Sequence, residues 1–207
     1  GLPDPDSEKA PDPFVSDDVR TAESRYVPFQ LRETLQYTRH WGAVRVIPGP
    51  SNSVDVTVSG EILHSDGERL ALRVRAVDAT GRVWFEREYD ELAGQLSYRE
   101  SLAYRDDEPF QDLYNRIAND LAEALDGLTG DERLAVRRVA EMRFAGDLAP
   151  EAFGDYVART DAGRYELRRL PAYSDPMVQR MRRVREREYL FFDTLDEYYE
   201  TFAGRME

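Results

Sequence analysis

Between Val54 and Trp84 the chain reads VDVTVSGEILHSDGERLALRVRAVDATGRVW, an apolar–polar alternation broken twice by glycine-containing turns. Val54, Val56, Val58, Gly60 and Ile62 share one parity, and Asp55, Thr57, Ser59 and Glu61 share the other. Successive strand side chains point to opposite faces, so this stretch buries one face and wets the other. Leu70, Leu72 and Val74 repeat the device against Arg69, Arg73 and Arg75, and GRVWFEREY supplies a third strand. The turns carry Asp66-Gly67 and Thr80-Gly81, and glycine takes the positive φ that tight hairpins require. An antiparallel meander with one apolar face must be covered, which points to helices on one side.

Helical segments lie on either side of it. In RYVPFQLRETLQYTRHWGAVRVIPGP, Pro28 suits a first helical turn and Leu31 and Leu35 share a face. Gly42 ends that helix before an alternating strand at Val44–Ile47. After AGQLSYRESLAYRDDE, a polar loop, the residues Phe110, Leu113, Tyr114, Ile117, Leu121, Leu125 and Leu128 form a stripe at helical spacing. Asp107 or Glu108 caps this helix, Pro109 opens it and Gly127 or Gly130 ends it. The expected class is α+β: a mixed sheet of about four strands, helices on one face, and a helical C-terminal extension. DERLAVRRVAEMRF reads as a helix of that extension and APEAFGDYVA as a short one.

The last element is a long helix from Pro176 to Ala203, started by Ser174-Asp175-Pro176 and closed by Gly204. It would run about 40 Å at 1.5 Å per residue. Met177, Met181, Val184, Phe191, Leu195, Tyr198 and Phe202 follow alternating spacings, interrupted at Glu188. Met181, Val184, Leu195 and Phe202 form the expected seam, which leaves Tyr189, Phe192 and Tyr199 off it. With Tyr198, those three are the candidate partner-binding residues, because aromatics dominate interface energetics.

The first 25 residues, beginning GLPDPDSEKAPDPFVSDD, are acidic and proline-rich with little to bury, and read as a mobile tether. The expected organisation is a tether over 1–25, an α+β domain over 26–130 and the extension over 131–207. Such a start suits a chain whose signal peptide or lipidated cysteine lies upstream.

A formal net charge of −13 repels phosphate backbones and anionic headgroups, which disfavours nucleic acid as a partner. No apolar run reaches the roughly 20 residues of a membrane span. With no cysteine, disulfides, thiolate catalysis and thiolate metal sites are excluded. His40 and His64 are the two histidines, and each sits where capping or solvation accounts for it. Asp106-Asp107-Glu108 suits a helix start better than a cation site. Glu33, Glu61 and Asp78 could act as acid and base only if folding set two of them around one bond. No nucleophile elbow or phosphate loop appears, and no catalytic residue, metal or cofactor is assigned. The basic run RMRRVRERE, Arg180 to Glu188, reads as a solvated, salt-paired helix face.

The helix ending in LRETLQYTRHWGAVRVIP, the strand DVTVSGEIL, the hairpin LALRVRAVDATGRVWFEREY and the helix FQDLYNRIANDLAEAL together resemble the TolB amino-terminal domain superfamily. Similar domains occur in peptidoglycan-synthase activator and curli-secretion-type lipoproteins. Gly60, Asp78, Thr80, Gly81 and the helix after Pro109 carry the resemblance, over residues 27 to 128. It implies a bacterial envelope protein, periplasmic and tethered to the outer membrane by a lipid, that works by binding other proteins and transfers no catalytic residue. The expected function is therefore a non-enzymatic, protein-binding subunit or accessory factor of an envelope complex. Its expected partners are another envelope protein and a second copy through the terminal helix. The alternatives are a carboxylate-based enzyme of cell-wall metabolism and a self-associating structural protein.

Overall fold

The structure, a computed structural model, describes residues 17–93 and 108–203, with side chains described over 25–93 and 108–198. Helix α1 (Asp17–Thr38) leads to strands β1 (Val56–Ser65), β2 (Arg69–Asp78) and β3 (Val83–Leu92). Helices α2 (Gln111–Asp126), α3 (Gly130–Leu148) and α4 (Pro150–Phe153) follow, then strands β4 (Val157–Arg159) and β5 (Tyr165–Leu167), and finally helix α5 (Pro176–Ala203).

The meander forms as its alternation demands, in the order β1-β2-β3 and antiparallel throughout. Its apolar face carries Leu70, Leu72, Val74, Ala76, Phe85 and Tyr89, packed against Leu35 of α1 and the Leu113, Tyr114, Ile117 and Leu121 stripe of α2. Each such fully buried side chain contributes about 1.5–3 kcal/mol relative to exposure. Across the cover, Arg87 pairs with Asp120 and Arg116 with Glu91, while the Tyr89 hydroxyl donates to Asp120. The opposite face is a charge ladder in which Arg69 meets Asp90, Arg73 meets Glu61 and Glu88, and Arg75 meets Glu86. Exposed pairs of this kind are worth less than about 1 kcal/mol each, so they reinforce the register that the buried face sets.

Among the described residues the sheet is three-stranded and wholly antiparallel, not a mixed sheet of four strands. Val44–Ile47 does not join it. Pro48 and Pro50 follow directly and carry no donor for a ladder, and the segment is held by side chains instead: Gln36 Nε2 donates to the Val44 carbonyl at 3.3 Å. A separate two-stranded sheet, β4-β5, closes around Gly163 at φ 77°. Its strands of three residues are too short for alternation to announce them, and β4 takes part of the stretch that reads as one short helix, leaving α4 four residues.

Two bulges adjust the meander. Leu63 is an extra residue between the Ile62–Leu72 and His64–Ala71 pairs, and it sets His64, which shares the parity of Val58 and Ile62 in the sequence, on the exposed face. There His64 Nε2 lies 2.8 Å from Asp66 Oδ2. Trp84 is the second extra residue, between Phe85 and Val83. The bulge lets its ring pack against the core, with the Trp41 ring centroid at 6.3 Å.

Helix boundaries differ from expectation at three ends. Helix α1 begins at Asp17, so Pro28 lies inside it and residues 17–25 are helical. It ends at Thr38, ahead of Gly42, because Arg39 takes the left-handed conformation at φ 57°. The N-cap of α2 is Phe110 with no side-chain cap, so Glu108 does not cap it, and Asp106 and Asp107 lie outside the described residues. Glu108 is bonded instead by the Tyr26 hydroxyl. Helix α3 opens with a reciprocal capping box between Thr129 and Glu132.

The β2–β3 turn joins the meander to the extension. Buried Asp78 accepts from Thr80 N at 2.8 Å and Arg82 N at 3.2 Å through Oδ1, and from Trp84 Nε1 at 3.0 Å through Oδ2. The Thr80 carbonyl then accepts from Tyr165 N at 2.7 Å. Gly81 sits at φ 80°, and a Cβ there would meet the Gly163 carbonyl at 3.4 Å. Gly81→Val is therefore expected to lower unfolding free energy by about 1 kcal/mol or more, read as a fall in the urea midpoint at unchanged slope. Glu132 has its carboxyl pulled down to about 2 by the Thr129 backbone N–H, Arg82 and the Thr129 hydroxyl. Because the folded value lies below the unfolded one, its contribution is complete above the ordinary carboxylate range and lost as pH falls toward 2. An NMR titration should place Glu132 near 2, and Thr129→Ala should move it upward.

Candidate functional site

Helix α5 spans the 28 residues expected of it, started by Asp175 Oδ1, which accepts from Met177 N at 2.9 Å. Its inner face is mixed. Val178 and Met181 join Met142, Ala145 and Phe153 in a cluster shared with α3 and α4. One to two turns on, the Arg185 guanidinium donates to the Ser53 carbonyl at 2.6 Å and pairs with Asp55. The Tyr189 hydroxyl also donates to the Ser53 carbonyl, and Ser51 donates to Glu188 Oε1 at 3.3 Å. The Arg45 guanidinium lies 4.5 Å from the Tyr189 ring centroid and pairs with Asp193. Burial raises the Tyr189 phenol above its ordinary value, so it stays a donor across the physiological range. Phe192 is 6% exposed, and Asp196 pairs with Arg32 of α1 at 2.9 Å, both side chains largely buried.

These contacts rotate the helix away from the expected seam. The docked residues are Val178, Met181, Arg185, Tyr189, Phe192 and Asp196, spaced by three and four as one face of a helix requires. Phe191, one of the residues at the expected alternating spacings, is 57% exposed, and Phe192, expected on the open surface, is buried. The apolar count misplaced the phase because two of the six docked residues are charged and find their partners in distant loops and helices.

Of the four partner-binding candidates, Tyr198 alone is shown on the open surface, at 71% exposure. Tyr189 is half-buried and committed to Ser53, Phe192 is packed, and the Tyr199 side chain lies outside the described residues, as does that of Phe202. The structure adds Leu190, 64% exposed, and Phe191, whose rings with Phe192 lie 6.2 Å apart. Leu190, Phe191, Thr194 and Tyr198 fall within one outward stripe, preceded on that stripe by exposed Arg180, Arg183 and Arg187. Only the phase of the helix, set by its polar anchors, distinguishes these residues from the packed ones.

The other candidates do not converge. Glu33 lies on α1 beside Arg32, Glu61 on the charged face of the sheet with Arg73, and Asp78 in the β2–β3 turn. No group of three or more His, Cys, Asp or Glu among the described residues could hold a metal ion. The basic run is divided: Arg182 pairs with Glu141 and Arg185 with Asp55, while Arg180, Arg183 and Arg187 stand in solvent. A cleft of about 370 Å³ opens between α1, residues 41–45 and Asp193, with Gln36, Trp41 and Arg45 in its wall. No helix among the described residues is long and apolar enough to cross a membrane. Comparisons with family models, with curated proteins and with solved structures find nothing that matches the chain.

The orientation of α5 makes neighbouring phenylalanines unequal. Phe192→Ala should cost about 3–5 kcal/mol by leaving a cavity, whereas Phe191→Ala should stay within about 0.5 kcal/mol, both read from chemical denaturation of dilute, monomeric protein.

Proposed function

We propose that this chain is a non-enzymatic, protein-binding subunit or accessory factor of a bacterial envelope complex, and that the outward stripe of α5 is its contact face. The observation that carries the reading is the contrast between the two faces of one helix. Phe192 and Asp196 are buried, while Leu190, Phe191 and Tyr198 project into solvent at the same level. Aromatic and aliphatic side chains concentrated on an element fixed by its other face suit a preorganised binding surface, since little is lost in ordering it on association.

The envelope part rests on the resemblance to TolB amino-terminal domains. It is supported by the succession of α1, the three-stranded meander and α2 on one face of the sheet, and by the Asp78–Thr80–Gly81 turn as a bonded hub. Outer-membrane tethering through a lipid upstream of residue 1 belongs to the same reading.

The test is photo-crosslinking with benzoyl-phenylalanine at position 191 and, as a control, at position 75 on the charged sheet face, in cells making the full-length protein, followed by fractionation. Specific adducts at 191 and their absence at 75, with the protein in the envelope fraction, are expected. A protein confined to the cytosol contradicts the envelope assignment, and equal adducts at both positions contradict the assigned face.

A further inference from the structure

Resting on that reading of the α5 face as a protein-binding surface, we infer that its occupant is a second copy of the same face, with the two α5 helices antiparallel and crossing at Leu190–Phe191. The stripe is self-complementary about its centre. Leu190 and Phe191 lie at the middle of a helix running from Pro176 to Ala203. The N-terminal half of the stripe carries Arg180, Arg183 and Arg187, all exposed and none in an ion pair with a described residue. The C-terminal half carries no basic residue among those described: Thr194 and Tyr198 lie on the stripe, and Asp193, paired with Arg45, and Glu197 border it.

A two-fold axis through Leu190–Phe191 sets Leu190 and Phe191 of each copy against those of the other. It also brings Arg183 of one copy opposite Tyr198 of its partner, and Arg187 opposite Thr194. The arginines then meet an aromatic face and the negative end of the partner helix. Arginine over tyrosine recurs within this chain: Arg143 lies 4.0 Å from the Tyr165 centroid and Arg169 lies 4.1 Å from that of Tyr156. A parallel pairing would stack arginine on arginine along the same stripe, and like charges so placed oppose association. Closed two-fold symmetry also uses one patch on each copy, so a single mutation strikes the interface twice.

Residues 1–207 contain no cysteine, so single thiols can be introduced for a direct test. Sedimentation velocity should show a concentration-dependent dimer, and Phe191→Glu should return it to monomer with the thermal midpoint of the wild-type chain at dilutions where it is monomeric. Single cysteines joined by a short bis-maleimide report direction. Leu190→Cys should cross-link to itself, and Arg183→Cys should cross-link to Tyr198→Cys in a mixture of the two variants. Arg183→Cys alone should not, because its two copies would lie about 22 Å apart at 1.5 Å per residue. A chain that stays monomeric at every concentration overturns the inference, as does a dimer indifferent to Phe191→Glu or an Arg183→Cys self-cross-link equal to that of Leu190→Cys. If the chain is monomeric yet position 191 still photo-crosslinks to a different protein, the binding face stands and the second copy falls. Loss of both removes both.

Discussion

The ion pair between Arg32 and Asp196 decides what the rest of α5 presents. Both side chains are largely withdrawn from water, at a separation of 2.9 Å; Arg32 is also bonded to Glu33, so the costly break is loss of Arg32, about 3–5 kcal/mol, because it leaves the Asp196 charge buried and uncompensated. Hydrophobic contact is tolerant of rotation, whereas a buried charge is not. With Asp196 held by α1, Arg185 and Tyr189 on Ser53, and Val178 and Met181 in the α3–α4 cluster, the rotation of α5 is determined at three levels along its length. Leu190, Phe191 and Tyr198 are outward because the polar anchors point the other way.

The loop before the meander receives two of these anchors, and the meander fixes that loop. The Asp55 carbonyl accepts from Ala79 N at 2.8 Å, and Arg143 of α3 donates to the Ala79 carbonyl at 2.8 Å and also to Asn52. Asp78 holds the same turn from within, and Tyr165 of β5 bonds its far side. The hairpin that looks like scaffold thus fixes the place of the terminal helix through a short chain of hydrogen bonds. Burial of several of these groups makes each bond costly to break.

Much of the sheet could be read from residues alone, because alternation and glycine turns are local signals: Gly67 and Gly81 take the positive φ their turns call for. The stripe of α2 is legible for the same reason. What could not be read depends on distant partners. Val44–Ile47 alternates like a strand yet is tied to α1 and α5 by side chains. His64 changes face through a bulge at Leu63 that no local pattern marks. The phase of α5 was hidden because Arg185 and Asp196, charged residues that a sequence places in water, lie on its packed face. The site candidates inherited that error, so Phe192 and Phe191 exchange roles.

The rotation of α5 is the claim on which the binding face and its self-pairing both rest, and thiol accessibility reads it directly. In this cysteine-free chain, Phe191→Cys and Phe192→Cys can be compared by their rates of reaction with a maleimide, measured on dilute protein under native conditions. The structure predicts that the thiol at 191 reacts at close to the rate of a free thiol, and that the thiol at 192 reacts only through opening of the helix, slower by orders of magnitude. Equal rates, or a faster rate at 192, would contradict the account.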